Sequence, residues 1–206
     1  MNQTLSMLRR RYDGHDPVLL DARHSYAVLC PLIQREDGLH LLFEVRAQTL
    51  RQGGEVCFPG GRMEPGETPV DCALRETEEE LHIPASSVEI LGTPDFICNQ
   101  KNFLLRPILG LVSPEGLSAM IPSPDEVQEA FTVPLSFFQE TPPELWHYDL
   151  QPVVPPDFPY EAVGIPTDYP WNHGDVELPI WHYGPHTIWG MTARLVRDLA
   201  RLPQTP

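Results

Sequence analysis

Lysine is almost missing from this sequence: Lys101 is the sole one in 206 residues, and 14 Lys and Arg face 29 Asp and Glu, a formal net charge of -15. Such a balance excludes a general nucleic-acid-binding surface, because phosphate backbones need a basic footprint. A polyanion can still be held where divalent cations and a few arginines bridge the repulsion. Cysteine is scarce as well. Cys30, Cys57, Cys72 and Cys98 lie far apart with no C-x-x-C pair, which offers neither a zinc site nor a redox motif and predicts reduced core thiols. No run approaches the roughly 20 apolar residues of a membrane span. The opening "MNQTLSMLRRRYDGHD" has no apolar signal region, so a cytoplasmic protein without a membrane partner is expected.

What is present is the composition of a folded chain, 41% hydrophobic and 21% charged, of a length that suits one domain over 1–206. The runs "SYAVLCPLI" and "LHLLFEVR", separated by the turn-like "QREDG", read as strands, and "EVCF" as a third that exits sharply at "PGG". From Thr68 to about Leu81 the apolar residues Val70, Ala73, Leu74, Thr77 and Leu81 keep a helical period, with Thr68 as N-cap and Pro69 at the first helical position. "SVEIL", "FLLRPILGLV" and "EVQEAFTVPL" continue as strands, the last leading into a helical turn. Between 141 and 185 ten prolines accompany seven Trp and Tyr residues; such aromatic density predicts an ordered, extended excursion over the surface rather than a tether. Ile188, Met191, Leu195, Leu199 and Leu202 predict a closing amphipathic helix.

The charged face of the 68–81 helix is the most informative feature. On a wheel of about 100° per residue with Val70 at zero, Glu76, Glu79 and Glu80 fall near 240°, 180° and 280°, one arc of roughly 100° beside the apolar face. Glu78, near 80°, points to solvent. Like charges at these spacings each destabilise a helix by a few tenths of a kcal/mol, and no lysine is near to compensate. The arc is either a solvated face or, with a hard divalent cation such as Mg2+ or Mn2+, a binding site.

The order Gly61, five residues, Glu67, seven residues, Arg75-Glu76, two residues, Glu79-Glu80 resembles the signature of the Nudix family, a box spanning 61–83 here. Thr77 stands where that signature has an aliphatic residue and His82 where it has glycine. The resemblance implies an α/β fold, an α/β/α sandwich with a mixed sheet, and hydrolysis of a nucleoside diphosphate linked to another group. It implies metal binding by Glu76, Glu79 and Glu80 with the Gly61 carbonyl, and a Glu67–Arg75 pair that locks loop to helix. The general base is Glu76, or a later acid, Glu126 or Glu129 in "DEVQEAF". His82 reads as a helix C-terminal histidine or as a ligand.

Upstream, "LLFEVRAQTLRQGGEVCFPGG" is similar to the segment before the box in coenzyme A diphosphatases, with a different loop length, and the similarity extends from about Tyr26 to the C-terminal helix. It implies a coenzyme A-like nucleotide as small-molecule substrate, cut to 3′,5′-ADP and 4′-phosphopantetheine. Arg46, Arg51 and Arg62 are then the candidate phosphate partners, since guanidinium binds phosphate bidentately. An ADP-ribose or dinucleoside polyphosphate hydrolase is the alternative enzyme, and a non-catalytic nucleotide-sensing module the alternative class. The chain suits a monomer or a homodimer equally.

Overall fold

The structure, a computed structural model, describes residues 3–15, 19–20, 24–99 and 102–201. Lys101 and Leu202 therefore lie outside the described residues. The two predicted hydrophobic strands form β1 (His24–Arg35) and β2 (Gly38–Arg46), an antiparallel pair joined at Arg35↔Gly38. Their near-continuous apolar runs are those of strands buried on both faces. Around them gather β3 (Val56–Cys57), β4 (Gly60–Arg62), β5 (Val88–Gly92), β6 (Ile97–Cys98), β7 (Phe103–Val112) and β8 (Val127–Pro134) in one eight-stranded sheet. The β1–β7 pair is parallel from His24↔Phe103 to Ile33↔Val112, while β2 takes β3 and β8 antiparallel, so the sheet is mixed.

Helix α2 (Pro69–Leu81) covers one face, packing Leu81, Cys72 and Ala73 against Ala27, Leu29, Ile33, Leu42 and Ile108. On the opposite face Leu41, Phe43 and Val45 meet α4 (Leu135–Glu140) and α6 (Gly190–Ala200). Phe43 stacks on Phe58 and Phe131 there and meets Phe138 edge-on. The architecture is thus helix, mixed sheet, helix. The chain also carries α1 (Gln3–Tyr12) and α3 (Pro114–Ala119). The sequence reading missed both; α3 is nonetheless signalled by Ser113, which caps the Gly116 N–H, followed by Pro114.

Three expectations need correction. The 141–185 excursion contains regular structure: β9 (Glu144–Leu150) and β10 (Gly174–Tyr183) join β11 (His186–Trp189) in a second, antiparallel sheet, with a helical turn α5 (Tyr160–Val163) between them. Proline hid these strands, yet Pro179 lies just outside the β10–β11 pairing, which begins at Ile180, where β10 has an open side. The closing helix starts at Gly190, not Ile188; Ile188 is fully buried on β11, and Gly190, at φ 65°, turns the chain into α6. Among the thiols Cys30 and Cys72 are buried, whereas Cys57 is half-buried and Cys98 exposed, all four free. Among the described residues no helix is long and apolar enough to cross a membrane.

Candidate active site

Both ends of α2 are fixed by polar contacts. Thr68 Oγ1 accepts from the Asp71 N–H at 3.2 Å and donates to Asp71 Oδ2 at 2.6 Å, with Pro69 at the first helical position. At the C-terminal end His82 adopts the left-handed conformation, φ 55°, at the place where the signature has glycine, and its Nδ1 lies 2.8 Å from the Ile121 carbonyl. The last helical carbonyls are closed from the same loop: Ile121 N–H donates to Leu81 O at 2.9 Å and Ser123 N–H to Glu80 O at 2.7 Å. Those bonds draw the 121–126 loop onto the helix end, and Glu126 with it.

The buried stripe of α2 is Cys72, Ala73, Thr77, Glu80 and Leu81. Val70 and Leu74, the centre of the predicted apolar face, are half-buried. The core face is therefore turned toward the carboxylates, and Glu80, 3% exposed, belongs to it. Its Oε2 accepts from the Gly60 N–H at 2.8 Å. Burial, and then the Glu44 carboxylate, push the Glu80 acid well above its ordinary value. Glu76 is half-buried, and burial raises it against the pull of Arg75. Its carboxyl lies against Gly61, so closely that a Cβ there would be 2.3 Å from Cδ. Only glycine permits that approach.

Arg75 gathers the remaining box acids. Its Nε and Nη2 grip Glu67 at 2.9 and 3.2 Å, while Nη1 reaches Glu76 at 2.9 Å and Glu79 at 3.1 Å. The Arg75 bond and the Glu64 N–H hold the Glu67 carboxyl down to about 2. The anticipated Glu67–Arg75 brace is present as a bidentate pair. Glu79 is the exposed member of the arc, and Glu78 is exposed too.

Glu44 and Cys57 were not anticipated. On β2 the side chains of Leu42, Glu44 and Arg46 alternate onto the α2 face. Glu44 is 0% exposed. Cys57 Sγ donates to its Oε1 at 3.3 Å, and its Oε2 has no partner. Burial raises this carboxyl above its ordinary value. A charged residue inside "LLFEVR" was the available signal. Arg46 is half-buried, within electrostatic reach of Cys57, Glu80 and Glu44, and Glu126, exposed, acts on Glu44, Glu76 and Glu80.

Other candidates are placed elsewhere. Glu129 pairs with Val45, one residue out of step with the Glu44↔Ala130 pair, and its Oε1 lies 3.4 Å from His186 Nε2 of β11. It faces the far side of the sheet from α2, so it is not a base for this site. Arg51 is exposed in the β2–β3 connection and Arg62 exposed on β4; neither guanidinium makes an ion pair or hydrogen bond among the described residues. The Gly61 carbonyl receives a long contact, 3.6 Å, from the Cys72 thiol. His82 is engaged with the loop rather than the carboxylates.

Among the described residues no three His, Cys, Asp or Glu side chains converge on one point as a ready-made ion cage. Arg75 takes up oxygens of Glu76 and Glu79, and the Gly60 N–H one of Glu80. The donor chemistry nevertheless fits a hard divalent cation: the donors are carboxylate oxygens, two of the carboxylates are buried beside each other, and Glu44 Oε2 is an orphan that burial leaves uncompensated.

A family model for the NUDIX domain matches residues 23–153. The chain belongs to the Nudix family. Nudix hydrolases act on small-molecule nucleotide substrates and generally use divalent metals, in keeping with the acidic box and the arginine beside it. The chain is 31% identical over 184 residues to the Nudix hydrolase NudL of Yersinia enterocolitica, covering 86% of this chain and 80% of that one. It is 30% identical over 170 residues to the mouse mitochondrial coenzyme A diphosphatase NUDT8, covering 81% and 72%. Nudix hydrolase 3 of Caenorhabditis elegans is 45% identical over 118 residues, but this stretch is 56% of the present chain and only 49% of the worm protein. A crystal structure of a MutT/nudix family protein from Enterococcus faecalis superposes with a TM-score of 0.50 at 16% identity, covering 96% of this chain and 68% of that one, which shows the Nudix fold.

Proposed function

We propose that this Nudix hydrolase is a single catalytic unit that cleaves the diphosphate of coenzyme A or a derivative, giving 3′,5′-ADP and 4′-phosphopantetheine, with Mg2+ or Mn2+. The observation that carries the substrate choice is the extent of kinship with a coenzyme A diphosphatase, 81% of this chain rather than the box alone. Glu76, Glu79 and Glu80, with the Gly61 carbonyl, would hold the cation. Once bound, it neutralises diphosphate charge and lowers the pKa of a bound water. Arg75 keeps its bidentate grip on Glu67 when Glu76 and Glu79 turn from it, so its charge stays paired. Arg46 supplies a fork of donors to a phosphate oxygen, and Arg51 and Arg62, without ion partners among the described residues, serve the 3′-phosphate.

The attacking water bonds to one phosphorus, the bridging P–O bond breaks, and the water proton leaves to a carboxylate. Glu126 is the acceptor in this reading. It is exposed, stands beside Glu44, Glu76 and Glu80, and its carboxylate has no hydrogen-bond partner among the described residues, whereas Glu76 is tied to Arg75. Positioning and charge stabilisation then account for most of the rate.

The test is a substrate panel with Mg2+ or Mn2+, its products identified by mass. Coenzyme A should yield 3′,5′-ADP and 4′-phosphopantetheine. Much faster cleavage of ADP-ribose or of a dinucleoside polyphosphate would overturn the substrate, and no cleavage of any of them would point to a sensing module.

A further inference from the structure

Glu44 lies 32 residues before Glu76, outside the box, on a strand whose neighbouring positions are apolar. A carboxylate at 0% exposure is costly to keep unless it is paired, and its partners here are poor. Among the described residues one oxygen has only a thiol donor, which is weak, and the other has no hydrogen-bond partner. Across from it stands Glu80, 3% exposed, with one oxygen on the Gly60 N–H. Arg46 acts on both, a positive charge against two acids, with Glu76 and Glu126 adding to the negative side. Two buried carboxylates with the rest of the sphere filled by water and substrate phosphates is a common arrangement for Mg2+, so no three-residue cage is needed.

We propose that Glu44 is itself a divalent-cation ligand of this site, through Oε2 and in concert with Glu80. The inference rests on the metal-dependent reading above. The rival role for Glu44 is a neutral, purely structural acid, and the isosteric amide separates the two: it preserves shape and removes the anionic oxygen.

Mn2+ alone, without nucleotide, is titrated into the full chain, and free ion is read by electron paramagnetic resonance. Glu44→Gln should weaken Mn2+ affinity about 10-fold or more, and the Mn2+-induced rise in Tm should shrink, while the metal-free Tm stays at or above that of the wild type. Wild-type Mn2+ affinity in Glu44→Gln overturns the proposal. Should that variant not fold, Glu44→Asp keeps the charge but retracts it by about one C–C bond; weakened Mn2+ binding supports the assignment and unchanged binding overturns it. The two readings fail separately. A wild type that neither takes up Mn2+ nor cleaves any nucleotide ends the diphosphatase reading, whereas a wild type that does both beside an indifferent Glu44→Gln ends this one.

Discussion

Gly61, which opens the box, and Gly60 just before it should respond differently to alanine. At Gly61 a new Cβ would lie 2.3 Å from Cδ and Oε1 of Glu76 and 2.6 Å from Oε2. To reach ordinary contact the carboxyl must retreat by about 1 Å. The obstacle is the far end of a side chain, and Gly61 is not among the positive-φ residues, so the backbone accepts alanine. Shortening the unfolded chain's options stabilises by about 0.4–1 kcal/mol, and loosening the half-exposed Glu76–Arg75 pair costs about 0.2–1 kcal/mol. The two nearly cancel, so Tm should stay within about 4 °C of the wild type. With Glu76 in the role proposed above, displacing its carboxylate by that distance costs about 100-fold in rate, so nucleotide turnover in Gly61→Ala should fall by that order. At Gly60 the Cβ would meet backbone, 2.3 Å from the Ala27 carbonyl oxygen and 2.5 Å from Val28 Cα, at φ 150°. Gly60→Ala should therefore cost about 3 kcal/mol or more through the β1–β4 pairing. Thermal melts and initial rates on both variants decide the matter: near-normal turnover in Gly61→Ala, or a melt as low as that of Gly60→Ala, refutes the reasoning.

Three further outcomes follow from the same coordinates. Glu80→Gln removes an acid that folding must either protonate or bury charged beside Glu44 and should raise the metal-free stability, whereas exposed Glu79→Gln should leave the stability within about 0.5 kcal/mol; both should abolish most turnover, and equal melts for the two would contradict the burial of Glu80. His82→Ala keeps the left-handed backbone cost and loses the bond to Ile121, so it should destabilise by about 1 kcal/mol, while His82→Gly, relieved of that cost, should melt closer to the wild type. Arg197 holds the Glu177 carboxyl below its ordinary value. Its stabilisation is complete above the unfolded-state value, near 4.5, and fades as pH drops through the lower folded one. Denaturant melts should thus show Glu177→Gln weaker than wild type at pH 7 and the gap closing toward pH 3; a gap independent of pH would exclude the ion pair as its source.

The box was legible because its information lies in the spacing of charges, which survives any uncertainty in packing. The rotation of α2 was less so. Val70 and Leu74 look like the core on a wheel, but the small Cys72, Ala73 and Thr77 allow the closest approach to the sheet, and this carries Glu80 inward. Glu44 was hidden for a related reason: one acid in an apolar strand reads as a local exception until the opposing helix shows a second one. Glu126 and Glu129 could not be sorted by a strand period, because Glu126 precedes β8 and a bulge shifts the β2–β8 register between Val127 and Glu129. The second sheet was masked by prolines, whose effect depends on which edge of a strand is open, and that is set by long-range pairing.

The four tryptophans, Trp146, Trp171, Trp181 and Trp189, all belong to β9–β11 and the segment between them, while the glutamates sit beneath α2 across the main sheet. Intrinsic emission is consequently an optical report on the far layer, with Trp181 buried and Trp146 and Trp189 open to quenchers. The layers are joined at β3, where Thr192 Oγ1 donates to the Val56 carbonyl at 3.2 Å, next to Cys57, and at β8, where His186 stacks on Phe131. A spectral change on adding a cation alone would therefore register movement carried between the two layers.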